Sequence, residues 1–244
     1  MSAFLAGLAM GVVFSLLGAG GGIIAVPVLM VLFRAPVTEA TAGALAVVWA
    51  AAASGMVGHA RGARVTWRAV WLVGLPSMAG AVLGAELHRL VPDRVTMALF
   101  AAVLLVATVL MFRAKQDAKG EPRLSPKFLV PVGLGLGVMT GFLGVGGGFL
   151  IVPALVTLAR LPLKAAIGTS MAIITAASFT GALAYVVEGA APMALVLPMG
   201  AGAMVGALVG APLAGKLPER PLKVGFAVLA VTVSVGMGLK ALGT

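Results

Sequence analysis

Residues 14–33 read FSLLGAGGGIIAVPVLMVLF, and residues 140–159 read TGFLGVGGGFLIVPALVTLA. The two stretches share G-x-GGG-x-x-x-VP-x-L position for position at an offset of 126. Each glycine cluster sits inside an apolar run, 3–33 or 128–159, that is too long for one simple crossing of ~30 Å of hydrocarbon. Three consecutive glycines weaken a helix by roughly 1 kcal/mol each relative to alanine. A break is therefore expected at Gly18, Gly20, Gly21 and Gly22, and again at Gly144, Gly146, Gly147 and Gly148, with Pro27 and Pro153 marking the same irregular element.

Outward from these stretches the duplication continues. Arg34 and Pro36 match Arg160 and Pro162. Pro76, Gly80-Ala81 and Gly84-Ala85 are read against Pro198, Gly202-Ala203 and Gly206-Ala207, then Pro92-Asp93-Arg94 against Pro218-Glu219-Arg220, and Phe100-Ala101 against Phe226-Ala227. Several matches in order over about 100 residues constitute an internal duplication, a common plan for transporters. The polar stretch from Arg113 to Pro126 holds two prolines and divides the copies. The expected organisation is a first membrane repeat at 1–113, a cytoplasmic linker at 114–127 and a second membrane repeat at 128–244.

Composition places these repeats in lipid. Hydrophobic residues make up 61% of the chain and charged residues 10%, with a mean hydropathy of +1.15; soluble domains run nearer ~45–50% apolar and ~25% charged. The 34 glycines and 14 prolines fit membrane helices, where small residues allow close backbone approach and neighbouring helices satisfy freed backbone groups. The net charge of +10 is carried by single Lys and Arg residues between apolar runs, without aromatic interleaving, so it reads as loop anchoring and not as nucleic-acid binding. The absence of cysteine excludes disulfides, thiolate zinc sites and iron–sulfur clusters. No cofactor is called for. Met1-Ser2-Ala3-Phe4 lacks a basic region and reads as the start of a membrane segment, not a cleaved signal.

Apolar segments fall at 3–33, 37–58, 69–87, 95–112, 128–159, 163–187, 193–214 and 221–239. If all eight cross, the two faces carry 9 and 8 Lys and Arg residues, and the expected cytoplasmic excess is missing. If each glycine-broken segment instead enters and leaves on one face, the counts become 13 and 4. The second arrangement is adopted: an all-α integral membrane fold of two inverted repeats, each a Gly-broken re-entrant helical hairpin plus three transmembrane helices, with the linker cytoplasmic and both termini outside. The hairpin arms are expected to run about 15 and 11 residues, a partial penetration at ~1.5 Å per residue.

A helix break inside a membrane creates a new N-terminus with free N–H groups and a positive dipole end, which is an anion site. In an inverted pair the two breaks are expected to meet near the midplane and to converge on one cavity. Gly18, Gly20, Gly21, Gly22, Gly144, Gly146, Gly147 and Gly148 are the candidate substrate-binding residues. Thr169 and Ser170 join them, because hydroxyls donate to an anion without adding a charge, although each can also bond the preceding turn of its own helix. Gly80/Gly84 and Gly202/Gly206/Gly210 read as packing glycines. Glu39 reads as a helix cap, His59 as part of a basic loop with Arg61, Arg64 and Arg68, and Glu86 with His88 as an interfacial pair near Arg89. Arg34 and Arg160 flank the broken segments. No nucleophile elbow and no zinc-protease motif is present.

The paired G-x-GGG-x-x-x-VP motifs, with Gly168-Thr169-Ser170 after the second, resemble the TauE/SafE family of sulfite exporters across nearly the whole chain. The resemblance implies a bacterial inner-membrane transporter whose substrate is a small sulfur oxyanion, sulfite or an organosulfonate. The first half departs from the family's pattern, with Gly43-Ala44 where Thr-Ser is common. The expected function is secondary export of a small anion by alternating access, in contact with membrane lipid and with a homodimer as a possible assembly. A passive anion channel and carriage of a different small anion are the alternatives.

Overall fold

The computed structural model describes residues 1–18, 20–61, 65–113, 124–144, 147–187, 189 and 191–243. Among them are ten helices: α1 (Ser2–Leu17), α2 (Gly20–Leu32), α3 (Val37–Arg61), α4 (Trp67–Leu90), α5 (Asp93–Arg113), α6 (Pro126–Leu143), α7 (Gly148–Thr157), α8 (Leu163–Val187), α9 (Met193–Lys216) and α10 (Glu219–Gly243). Seven of them, α3 to α6 and α8 to α10, are long and apolar enough to cross a membrane, while α1, α2 and α7 are shorter. The sequence reading counted six crossings. The seventh is α6, which at 18 residues reaches the necessary length, although its counterpart α1 has 16. The greater part of the linker, 114–123, lies outside the described residues.

Helix limits repeat at the offset of 126. Val37–Arg61 becomes Leu163–Val187, and Trp67–Leu90 becomes Met193–Lys216. The packing is exchanged between copies: α1 lies along α9, and α6 lies along α4. Both contacts are backbone on backbone. A side chain at Gly7 or Gly11 would strike the carbonyls of Met199 or Ala203, and one at Gly133 or Gly137 those of Val73 or Ser77. In lipid, where no hydrophobic effect drives helices together, such close approach is a principal source of association.

These contacts correct one register. A side chain at Gly80 would strike the Leu134 carbonyl and Val138 amide, and one at Gly206 the Leu8 carbonyl and Val12 amide. Leu8 and Val12 precede Leu134 and Val138 by 126, so Gly80 corresponds to Gly206 and Gly84 to Gly210. The alignment of Gly80 with Gly202 is one helical turn out, because small residues recur every four positions and a slip of one turn preserves the letters. Pro76 is likewise no partner of Pro198. It lies in mid-helix, and the turn before it, Val70–Gly74, widens to π geometry, which accommodates a proline that can neither bond nor clear the Leu72 carbonyl.

Side-chain neighbours also give directions. Along α9, α3 runs in the same sense as α1: Gly43 faces Val196, Gly55 faces Ala207 and Gly58 faces Ala211. Along α4, α8 runs in the same sense as α6, with Gly74 facing Ile173 and Gly181 facing Ala81. The helices α3 and α8 oppose each other, since Gly55 meets Met171 while Gly181 meets Leu45. As α3 starts at the end of the bundle where α1 starts, α2 runs back between them, and its Leu29 reaches Gly43. The principal buried core draws on both halves, from Met10 and Phe14 to Phe149, Ile173 and Phe226.

Gly11→Leu and Gly137→Leu are expected to destabilise the protein by about 3 kcal/mol or more, the upper range of overpacking, because backbone would have to yield. Gly135→Leu has nothing within 4 Å and is expected to stay within about 0.5 kcal/mol. Thermal unfolding in detergent, followed by size exclusion, checks the contrast; equal melting of the two classes contradicts it.

Candidate functional site

The first break follows α1. Gly18 takes the left-handed conformation, φ 71°, and its N–H closes on the Phe14 carbonyl at 2.8 Å. A Cβ there would press on Ile167 of α8. Because the helix does not continue, its last carbonyls need donors from elsewhere. His59 of α3 donates from Nε2–H to the Ser15 carbonyl at 3.2 Å. Ser170 of α8 shares its hydroxyl proton between the Gly18 carbonyl at 3.1 Å and that of Ile167 at 2.7 Å. Beside it, Thr169 Oγ1 accepts the Thr66 N–H at 2.9 Å, tying the segment before α4 to α8. Gly20, Gly21 and Gly22 form the first turn of α2.

The second break follows α6 in the same manner. Gly144 has φ 70°, with its N–H on the Thr140 carbonyl at 3.1 Å. It packs against Thr41 of α3. Gly147, φ 63°, caps α7, and its carbonyl accepts the N–H groups of Leu150 and Ile151 at 2.9 and 3.0 Å. Helix geometry leaves the N–H groups of Gly148 and Phe149 without a partner inside α7. Gly146 lies outside the described residues. The orphaned carbonyls of α6 are met by Tyr185 of α8, whose hydroxyl donates to Gly141 at 3.3 Å, and by His88 of α4, whose Nδ1–H donates to Phe142 at 2.8 Å. The His88 ring stands edge-on to Phe142 and Tyr185, with centroids 5.8 and 5.9 Å away.

Tyr185 follows His59 by 126 residues, and Gly141 follows Ser15 by the same number. One structural role is therefore filled by two different side chains. Sequence reading missed it, placing His59 in a basic loop. It is instead inside α3 and only 1% exposed. His88 also faces inward, 3% exposed, and is no interfacial partner of Glu86, which pairs at the surface with Arg89 at 3.3 Å. The available signal was the offset itself, which pairs an imidazole with a phenol, both donors on apolar stems.

The two breaks do not converge. Gly18 lies at Ile167, near the start of α8, whereas Gly144 lies at Thr41, near the start of the opposing α3. On α8 that second level is marked by Tyr185, about five turns or 27 Å beyond Ile167. The arms are the reason: helices of 16 and 18 residues extend roughly 24 and 27 Å and cannot stop at the middle of a ~30 Å layer. The middle of α3 is instead packed against α1 and α9, where Met10, Phe14, Val47, Val48, Ala51 and Ala203 border an apolar void of about 10 Å³. The hydroxyls of Thr169 and Ser170 belong to the first break alone. Arg34 and Arg160 occupy matched exposed corners, both with φ 54°, and Pro27 and Pro153 lie within α2 and α7 instead of at the breaks.

A bundle with seven helices capable of crossing a membrane, and with two interrupted helices whose carbonyl ends are met by donors from its other helices, is a polytopic membrane protein of transporter type. The sequence profile of the family described as "Sulfite exporter TauE/SafE" matches residues 3–237, and the chain belongs to that family. It is 27% identical to the "Probable membrane transporter protein YdhB" of Bacillus subtilis (strain 168), over 88% of this chain and 90% of the relative. Identity is 29% to a "Probable membrane transporter protein" of Xylella fastidiosa (strain Temecula1), over 92% and 89% of the two chains. It is also 29% to one of Haemophilus influenzae, over 97% of each. No solved structure matches the chain. The protein is thus a membrane transporter of this family and not an enzyme.

A Cβ at Gly147 would meet the Thr140 hydroxyl and would also carry the cost of a left-handed non-glycine residue, about 1–2 kcal/mol. Gly147→Ala is expected to lose about 2–3 kcal/mol of stability. Adding Thr140→Ala should restore the steric part, about 1 kcal/mol, and leave the conformational part. Melting of both variants and the double variant measures the recovery; none would mean that the loop relaxes by another route.

Proposed function

We propose that this transporter exports a small anion, sulfite or an organosulfonate, across a cell inner membrane by alternating access between two inverted halves. In this reading α1–α2 and α6–α7 are re-entrant hairpins that enter from opposite faces, and both termini are periplasmic. The anion is bound by the amide ends of α2 at Gly20, Gly21 and Gly22 and of α7 at Gly147 and Gly148. Because the breaks are far apart, they act as two sites, one toward each face, and not as one central cradle.

The observation that carries this reading is the capping of the carbonyl side of each break. An interrupted helix offers carbonyls on one side of the gap and amides on the other, and the two would partly cancel for a passing ion. Here His59 and Ser170 at one break, and Tyr185 and His88 at the other, occupy the carbonyl side. The amide side then sets the local field, which favours an anion. The antiparallel run of α3 and α8 supports inversion, and the 13-to-4 distribution of Lys and Arg supports the orientation. The family's description as a sulfite exporter supports the substrate class.

Proteoliposomes containing the protein are expected to move labelled sulfite or sulfoacetate with saturation and trans-stimulation. Gly21→Leu and Gly147→Leu, recovered folded, should lower the initial rate by more than about tenfold, the loss expected when a charge-assisted contact is blocked. Flux without saturation or trans-stimulation would replace the carrier by a channel. Failure to move any of a panel of sulfur oxyanions, with both glycine variants matching wild type in every measured flux, overturns the substrate and the site together.

A further inference from the structure

We infer that His59 and Tyr185 are matched positioning residues, latches that hold the tips of α1 and α6 closed and set how readily each break opens to its ligand. The inference rests on the reading of the two breaks as anion sites. At the second break, Gly144, Gly147, Gly148 and Phe149 are all buried. The amide end of α7 is therefore sealed in this conformation, and a ligand reaches it only if the tip moves. Among the described residues, the contacts that hold the tip include the fit of Gly144 on Thr41 and the donors on Gly141 and Phe142.

Four features distinguish the His59 and Tyr185 bonds from incidental ones. Each is directed at the same carbonyl of its half, three residues before the left-handed glycine that ends the helix. Each donor is buried inside the helix bundle, Tyr185 at 0% and His59 at 1% exposure, where water offers no substitute partner. Each stands on the helix that crosses its opposite number at mid-length, α3 on α8, so the donors project from the same crossed pair at its two ends. Finally, each tip has one donor from its own half, His59 or Tyr185, and one from the other half, Ser170 or His88. Movement of one half against the other strains the second kind and leaves the first to decide whether the tip follows its own third helix.

The natural chain has no cysteine, so single-cysteine variants report each tip without background. Leu17→Cys marks the first tip and Leu143→Cys the second. With a small maleimide on the purified protein in proteoliposomes, Tyr185→Phe is expected to raise the labelling rate of Leu143→Cys about fivefold, the weight of one hydrogen bond, and to leave Leu17→Cys within about twofold. His59→Phe is expected to do the reverse, and His59→Gln, which keeps an N–H donor near the Nε2 position, to restore the slow rate. A purely structural role would raise both sites together and lower the melting temperature, and that result overturns the inference. So does an unchanged rate at Leu143→Cys in Tyr185→Phe. Labelling needs no substrate: selective latching without sulfur-oxyanion transport would defeat only the substrate reading, and transport without selective latching would defeat only this inference.

Discussion

A peptide group without a hydrogen-bond partner in hydrocarbon costs several kcal/mol. This chain interrupts two helices at buried positions, one toward each end of the bundle, and its architecture answers that cost. His59, Ser170, Tyr185 and His88 each deliver one proton to a carbonyl at the end of α1 or α6. To do so, α3 and α8 must pass both tips, which fixes their length at 25 residues each and sets them antiparallel against one another. A helix of that length extends about 37 Å. The third helices are therefore both the long struts of the bundle and the source of three of the four caps, His88 of α4 being the fourth.

The second constraint is distance between backbones. Along α1 and α9, and along α6 and α4, glycines stand where any side chain would meet a carbonyl of the partner helix. Gly135, Gly189, Gly236 and Gly238, which have nothing within 4 Å of a Cβ, do not share this role. High glycine content thus has two separate causes here. One set permits contact between helices. The other set, Gly18, Gly144 and Gly147, adopts left-handed conformations at the breaks. Arg34 and Arg160 adopt the same conformation without glycine's freedom, at corners where the next N–H bonds back to Leu29 or Leu155.

Much of this was readable from letters alone, and the failures are instructive. The doubled glycine motif announced both breaks, because three glycines in an apolar run have no easier explanation. The helical class followed from hydropathy. The register of α4 against α9 was misread because a four-residue repeat of small side chains matches itself after one turn, and only the carbonyl each glycine faces distinguishes the alternatives. The His59–Tyr185 equivalence was invisible to a comparison of identities, since the conserved quantity is a buried donor and not a residue type. The expected meeting of the breaks failed for a metrical reason: first arms of 16 and 18 residues reach past the middle of a ~30 Å layer.

Separation of the breaks bears on how an ion can cross. Between them lies the middle of α3, where Val47, Val48 and Ala51 pack against Phe14 and Ala203 around a void of about 10 Å³. That is at the lower limit for a single water, and its lining offers no polar partner to hold one. Transfer of an unpaired ion into such surroundings costs many kcal/mol, ~20 in the idealised limit. An ion entering that packed region would meet a steric and an electrostatic barrier together. If an anion passes, as proposed, from the amides of one break to those of the other, the packed middle has to rearrange, and relative movement of the two halves is the rearrangement that the shared core allows.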